Sequence, residues 1–368
     1  MKYTEEDILN ALRHVDDPDI HKDLVTLNMI SHIDVSDDKV KFKLTLTTPA
    51  CPLKERIKKD CINAIHQYVN ADMQVEIDFD ANITSHRNTG VNILPSVKNI
   101  ICVASGKGGV GKSTVAVNLA VSLAKQGASV GLIDADIYGP SVPTMLGVKG
   151  KKPEIRLIKE KHYLVPLEAE GIKILSIGLL VDERQAVVWR GPMVTSALRQ
   201  FVTDCIWGKL DYLVVDMPPG TGDVHITIAQ TVNVTGVVIV TTPQEVALAD
   251  ARKALAMFRL DTMNVPVLGI VENMAYFTPE ELPDNKYYIF GKDGGKKMAD
   301  EYELPLLGQI PLVQSIREGG DSGKPASLYG RDNSIVAKAF DELAANVAQQ
   351  VAIKNANLDA QKTEKVLS

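Results

Sequence analysis

The chain has 368 residues, 45% of them hydrophobic and 5% aromatic, and a formal net charge of −6. That length predicts two domains rather than one core, and the acidic balance argues against a protein that coats nucleic acid or an anionic membrane. Four scattered cysteines, Cys51, Cys61, Cys102 and Cys205, make no disulfide framework.

The opening MKYTEEDILN is acidic where a secretory leader would be basic and then apolar. No run approaches the roughly 18 apolar residues of a membrane span, so a soluble, cytoplasmic protein is expected. Residues 1–80 read as a small α+β domain. Ile8, Leu12 and Val15 form a helical stripe behind a Thr4/Asp7 capping box. KVKFKLTLTT alternates, with Val40, Phe42, Leu44 and Leu46 on one face of a half-buried strand. Leu53, Ile57, Cys61, Ile65 and Tyr68 mark a second helix, and MQVEIDF a closing strand. A polar stretch over residues 81–98, with Asn82, Asn88, Gly90, Asn92 and Pro95, reads as a linker.

From residue 99 to 352, short apolar runs alternate with longer helical ones: IICVA, SVGLIDAD, IKILSIGLL, YLVVDMPPG, GVVIVTTP, VPVLGIVENM and LPLLGQIP. Unbroken hydrophobicity predicts strands covered on both faces, hence an α/β domain with a mainly parallel, doubly wound sheet. Residues 353–368 read as a polar tail that frays.

Between the first of these strands and a helix lies SGKGGVGKST, which satisfies G-x-x-x-x-G-K-[ST] at Gly106, Gly111, Lys112 and Ser113. Its glycines let the backbone of Gly106, Lys107, Gly108, Gly109, Val110, Gly111, Lys112, Ser113 and Thr114 fold around an anion. The helix that follows adds its positive end. Lys112 is placed to neutralise the β/γ-phosphates, and Ser113 to ligate Mg²⁺. Lys107 is a second lysine at the start of the loop. Either it is simply solvated, or it reaches a neighbouring subunit's nucleotide as an arginine finger does.

These residues resemble the deviant Walker A motif of the family that includes MinD, ParA, ArsA and the nitrogenase iron protein. The resemblance implies a P-loop NTPase sheet, a homodimer, and a Lys107 that crosses to the partner's nucleotide. DADIYGPS resembles the family's switch I, which makes Asp136 the residue that positions the attacking water and puts Asp134 near the magnesium. VVDMPPGTGD resembles Walker B with switch II, with Asp216 holding Mg²⁺ through water. Each aspartate alone also reads as a strand-end helix cap. The base is expected to be adenine, so ATP. Asn273 matches the adenine-contacting asparagine of the family and reads otherwise as a turn residue.

DIYGPSVPTMLG, WRGPMV, DMPPGTGDVHITIAQ, IFGKDGGKKMA and IREGGDSGKP together resemble the Mrp/ApbC subgroup of iron–sulfur cluster carriers. VDDPDIHKDLVTLNMI and TTPACPLKERI in residues 1–80 resemble the PaaD/SufT-like iron–sulfur assembly domain. The resemblance implies a Mg-ATP-dependent carrier that hydrolyses ATP as a homodimer. Its partners would be apoprotein clients or iron–sulfur assembly proteins, not nucleic acid or membrane.

The subgroup usually has a C-x-x-C after its adenine asparagine, and here that interval reads AYFTPEELPDNKYY, with neither cysteine nor histidine. Glu280, Glu281 and Asp284 are hard oxygen ligands, ill suited to a cluster, and read as a solvated loop. Cys61, Cys102 and Cys205 fall on apolar or helical elements and read as core thiols. Cys51, before Pro52 at a strand-to-helix turn, is expected to have a lowered pKa. It is either a cluster ligand or a structural turn residue, and a cluster held that way would be labile. Two alternatives remain: a nucleotide-gated adaptor that has lost cluster binding, and a MinD/ParA-like positioning ATPase. Against the latter, the helix near Ile335–Val351 has few basic residues on its polar face.

Overall fold

A computed structural model describes residues 3–49, 51–85, 93–136, 139–180, 191–279, 281–282, 284–329 and 334–367. Ala50, Asn88, Gly90, Asn92, Ile137, Tyr138, Trp189, Arg190, Glu280 and Pro283, all within segments singled out above, lie outside the described residues. The chain divides into two compact units, Met1–His86 with Ala348–Ser368, and Arg87–Val347.

In the smaller unit, helix Glu5–Leu12 starts at a full capping box, where Asp7 N donates to Thr4 Oγ1 and the Asp7 carboxylate accepts from Thr4 N. Strands Ile30–Val35, Lys39–Leu46 and Gln74–Ala81 form a three-stranded sheet in that order, the first pair antiparallel and the second parallel. Helix Lys54–Tyr68 makes the crossover that the parallel pair requires. Val40, Phe42, Leu44 and Leu46 are buried, as their alternation predicts. On the opposite face Lys39, Lys41 and Lys43 pair with Glu76, Asp78 and Asp80 at 2.7, 3.0 and 2.5 Å. Exposed pairs of this kind contribute about 1 kcal/mol or less each, so the buried face holds the sheet. Tyr68 departs from the expected stripe: it is half exposed and stacks on His14 with ring centroids 4.2 Å apart.

The expectation of a frayed tail is corrected. Helix Ile335–Leu367 runs through residues 353–367 without a break. Gln349 Nε2 donates to Asp19 Oδ1 at 2.6 Å, and buried Asn355 donates to the Thr84 carbonyl at 3.0 Å. Such tertiary contacts supply what a polar segment lacks locally.

In the larger unit eight strands form one sheet, in the order Leu167–Ala169, Ile172–Ser176, Val130–Asp134, Leu210–Asp216, Val97–Ala104, Gly236–Thr241, Val267–Phe277, Leu306–Leu312. All neighbours are parallel except the edge pair Leu167–Ala169 and Ile172–Ser176. After Val97–Ala104 the chain moves to one side of that strand, and after Leu210–Asp216 it moves to the other. The strand before the phosphate loop therefore sits at the topological switch point, where open α/β sheets bind ligands. Residues Ile100–Ala104 and Val237–Val240 are fully or almost fully buried, as double coverage by helices requires.

An exposed hairpin, Glu154–Ile158 with Lys161–Val165, was not anticipated. It also changes the place of Cys205. The preceding helix, Gly191–Thr203, ends before it, because Leu164 N donates to the Asp204 carbonyl at 2.7 Å and Ile206 N to the Leu164 carbonyl at 2.8 Å. Cys205 is thus in a bridge to the hairpin rather than on a helix, though it is buried as expected. Among the described residues no helix is long and apolar enough to cross a membrane.

Candidate nucleotide site

Three parallel strands end side by side. Register aligns Ser176 with Asp134, Asp134 with Asp216, and Asp216 with Val103 of the strand that enters the phosphate loop. Two carboxylates and a hydroxyl separated in sequence by tens of residues thereby reach one sheet edge, beside the start of helix Lys112–Lys125.

Gly111 caps that helix in the left-handed region, φ 81°. A side chain there would also collide with Asn273 Nδ2, so glycine is required for both shape and space. Asn273 in turn donates from Nδ2 to the Val110 carbonyl at 2.8 Å. The asparagine expected to read a base thus also props the phosphate loop, while it lines the larger of the two cavities described below.

Lys112 is buried, and its Nζ lies 2.5 Å from Asp216 Oδ1, 3.1 Å from Ser113 Oγ and 3.9 Å from Asp136 Oδ2. Asp216 is fully buried, and among the described residues its Oδ2 has no hydrogen-bond partner within the distance of a normal bond. Burial raises the Asp216 carboxyl above its usual range, against the pull of the Lys112 ammonium. An orphaned carboxylate oxygen next to a serine hydroxyl is a hard-oxygen donor set, and it fits Mg²⁺.

Asp134 is also fully buried, with both oxygens engaged. Oδ1 accepts from Asp136 N at 3.1 Å, and Oδ2 accepts from Ser176 Oγ at 2.9 Å and Val142 N at 3.4 Å. Its carboxyl is pushed up to about 8, first by burial and then by the charge of Asp216. These bonds clip the Asp136 turn to helix Val142–Met145. Asp136 itself accepts from Gly139 N at 3.3 Å and faces the phosphate-loop cavity.

That cavity, about 210 Å³, is walled by Lys107, Gly108, Lys112, Ser113, Asp136 and Pro219 among others. A second cavity of about 510 Å³ shares Gly111, Thr114, Ser141 and Met145 with it and continues to Asn273, Pro311 and Ile316. A pocket lined by Lys112, Ser113 and Asp136 thus opens into a roomier one. Lys107 lines the first cavity, and among the described residues no carboxylate pairs with it. The loop after Asp216 is tied in by Gly220 N, which donates to the Ser105 carbonyl at 2.9 Å.

The reading of the sequence missed Ser105, Ser141, Met145, Ser176 and Pro219. Of these, Ser176 was findable in principle, as the polar residue that ends the apolar run IKILS. The expectation for Cys51 is corrected. Its thiol is half-buried, and burial, followed more weakly by Asp19 and Asp17, pushes its pKa up rather than down. Burial also pushes Cys61, Cys102 and Cys205 up to about 12. Glu281 and Asp284 are exposed, as a solvated loop requires. Among the described residues no group of three or more His, Cys, Asp or Glu side chains is arranged to hold a metal.

Residues 96–348 match the family model described as NUBPL iron-transfer P-loop NTPase, and residues 5–78 match the one described as iron–sulfur cluster assembly protein. An iron–sulfur cluster carrier protein of Synechocystis is 48% identical over 351 residues, 95% of this chain and 98% of that protein. The iron–sulfur cluster carrier protein of Escherichia coli K12 is 41% identical over 348 residues, 94% of this chain and 91% of that protein. Among solved structures, a nucleotide-binding protein from Archaeoglobus fulgidus in complex with ADP matches with a TM-score of 0.55 at 39% identity, covering 63% of this chain and 88% of that one. The cell division ATPase MinD of Pyrococcus furiosus matches with a TM-score of 0.50 at 26% identity, covering 68% and 98%. With its phosphate loop, aligned aspartates and mainly parallel sheet, the chain belongs to the family of NUBPL-type iron-transfer P-loop NTPases.

Proposed function

We propose that the protein is a Mg-ATP-dependent iron–sulfur cluster carrier that binds and hydrolyses ATP as a homodimer and delivers clusters to apoproteins in the cytoplasm. One observation carries the ATPase part. Lys112 sits inside the site beside Asp216 and Asp136, while Lys107 lines the same cavity with no carboxylate partner among the described residues. A lysine so placed is available to a second copy's nucleotide, as a trans-acting cation is.

In this reading Lys112 and the loop N–H groups hold the β- and γ-phosphates, and Asn273 and the larger cavity hold adenine. Ser113 and Asp216 would hold Mg²⁺, which when bound supplies positive charge to the phosphate oxygens. Asp136, oriented through Asp134, holds the attacking water in line. The partner's Lys107 stabilises the charge that develops on the transferred phosphoryl group.

The cluster is cargo. Without the usual C-x-x-C, the protein thiol left to bind it is Cys51, one from each copy, which must lose its proton on binding, with the remaining ligands from a client or assembly partner. Two protein ligands fall short of the usual four, so the cluster is labile. The missing cysteine motif also supports a second reading, a nucleotide-gated adaptor that no longer binds a cluster.

The test is cluster transfer. Anaerobically reconstituted protein is mixed with an apo iron–sulfur dehydratase, and recovery of dehydratase activity is followed with and without Mg-ATP. The reading expects transfer whose rate responds to ATP and loses that response in Lys112→Ala. Equal transfer by both proteins, whatever the nucleotide, would contradict ATP dependence.

A further inference from the structure

The larger cavity has two facing walls, and they belong to two helices that touch. Thr144 and Met145 come from helix Val142–Met145, and Ile316, Arg317 and Gly320 come from helix Gln314–Ser322. Each helix is followed by a glycine in the left-handed region, Gly147 at φ 62° and Gly323 at φ 71°. The two glycines cross at van der Waals contact. A Cβ on Gly323 would lie 2.6 Å from Gly147 Cα, 2.7 Å from Gly147 N and 3.3 Å from the Thr144 carbonyl oxygen. A Cβ on Gly147 would meet nothing closer than the Gly323 carbonyl oxygen at 3.5 Å. The crossing therefore demands glycine far more strictly at 323 than at 147.

Both sides of this crossing are anchored to the phosphate site. Helix Val142–Met145 begins at Val142, whose N–H donates to the same Asp134 carboxylate that holds the Asp136 backbone. The other segment is pinned just past the crossing. Ser327 N donates to Asn118 Oδ1 at 2.9 Å, and Asn118 Nδ2 donates to the carbonyl of Thr114, in the first turn of the helix that leaves the phosphate loop, at 2.9 Å. A wall held at both ends, in a densely packed unit, transmits a small displacement instead of absorbing it.

We propose that Gly323 is a positioning residue. It locks the wall of the base cavity to the segment that carries Asp136, so that a base seated in the cavity speeds hydrolysis as well as tightening binding. The inference rests on the ATPase reading above and deepens it. Discrimination between nucleotides is then expressed largely in kcat, because the base wall and the water-holding aspartate share one rigid path.

The test uses the full-length protein and a base-free probe, Mg-tripolyphosphate, beside Mg-ATP. At saturation the unsubstituted protein should hydrolyse ATP at least about tenfold faster than tripolyphosphate, and undetectable tripolyphosphate turnover meets that expectation. Gly323→Ala should lower kcat for ATP roughly ten- to a hundredfold, the cost of misplacing a catalytic group by a fraction of an ångström to an ångström. Its KM should stay within about threefold, and any tripolyphosphate turnover should fall by a smaller factor than the ATP rate, because only ATP has a base to seat.

Gly147→Ala carries similar left-handed strain without the collision and should lose less, which separates backbone strain from the crossing itself. Thermal unfolding of both variants checks folding. Should Gly323→Ala fail to fold, Ile316→Ala takes its place: it shaves the same wall, so it should raise KM for ATP and also lower kcat for ATP, and a loss confined to KM would overturn the inference. Equal rates of the unsubstituted protein on ATP and tripolyphosphate would overturn the inference alone, and so would a folded Gly323→Ala with full kcat or with a loss confined to KM. No ATP turnover by the unsubstituted protein would remove the ATPase reading, and this inference with it.

Discussion

Lys112 Nζ sits 2.5 Å from Asp216 Oδ1, and both side chains are shut off from solvent. The lysine at the helix start and the aspartate at the strand end, 104 residues apart, are the electrostatic centre of the site. Breaking a buried pair leaves a charge uncompensated. Lys112→Ala should therefore abolish nucleotide binding, measured by calorimetry with Mg-ADP, and lower unfolding stability by about 3 kcal/mol. The two aspartates near Lys112 should fail differently. Asp136→Asn should bind Mg-ATP normally and not turn it over, whereas Asp216→Asn should weaken the dependence of binding on magnesium. Identical affinity and identical metal dependence in the two variants would refute this division of roles.

Lys107 offers the sharper contrast with its neighbour five residues on. Lys107→Ala should keep ATP binding and lose hydrolysis by roughly 10³–10⁵, or less where basal turnover is already slow. Mixing Lys107→Ala with Asp136→Ala subunits should restore part of the activity, because one competent site assembles when each copy supplies what the other lacks. A strictly additive mixture would speak against action in trans.

The cysteines give a pH dependence with a definite sign. Burial pushes the thiol of Cys51 up, so little thiolate exists near neutrality, and the fraction keeps growing as pH rises past 9. Alkylation of Cys51 by iodoacetamide, followed by mass spectrometry, should therefore accelerate continuously from pH 7 to beyond pH 9. A plateau near pH 7 would show a depressed pKa and contradict the structure. Cys61, Cys102 and Cys205, pushed up to about 12 and buried, should stay unmodified until the protein unfolds.

These expectations divide along what a sequence can carry. The mainly parallel sheet was legible because doubly covered strands must be apolar without interruption, and the phosphate loop because its glycines and lysine are contiguous. The alignment of Ser176, Asp134 and Asp216 was not, since only strand register creates it. Cys51 was misread because local position, a turn before a helix, favours thiolate while burial by distant residues opposes it more strongly. Cys205 was misplaced because the hairpin at Leu164 claims the backbone around it. The terminal helix was misread for the same kind of reason. Its polar residues gain order from Asp19 and Thr84, hundreds of positions away.

A P-loop NTPase without the usual cysteine pair is here proposed to carry a cluster still. Iron and sulfide analysis after anaerobic reconstitution tests it most directly, on the unsubstituted protein, Cys51→Ser, Cys61→Ser and Cys205→Ser. Substoichiometric, labile iron should form, disappear in Cys51→Ser and persist in the other two. Iron absent from every protein, or a stable full complement in Cys51→Ser, would contradict it.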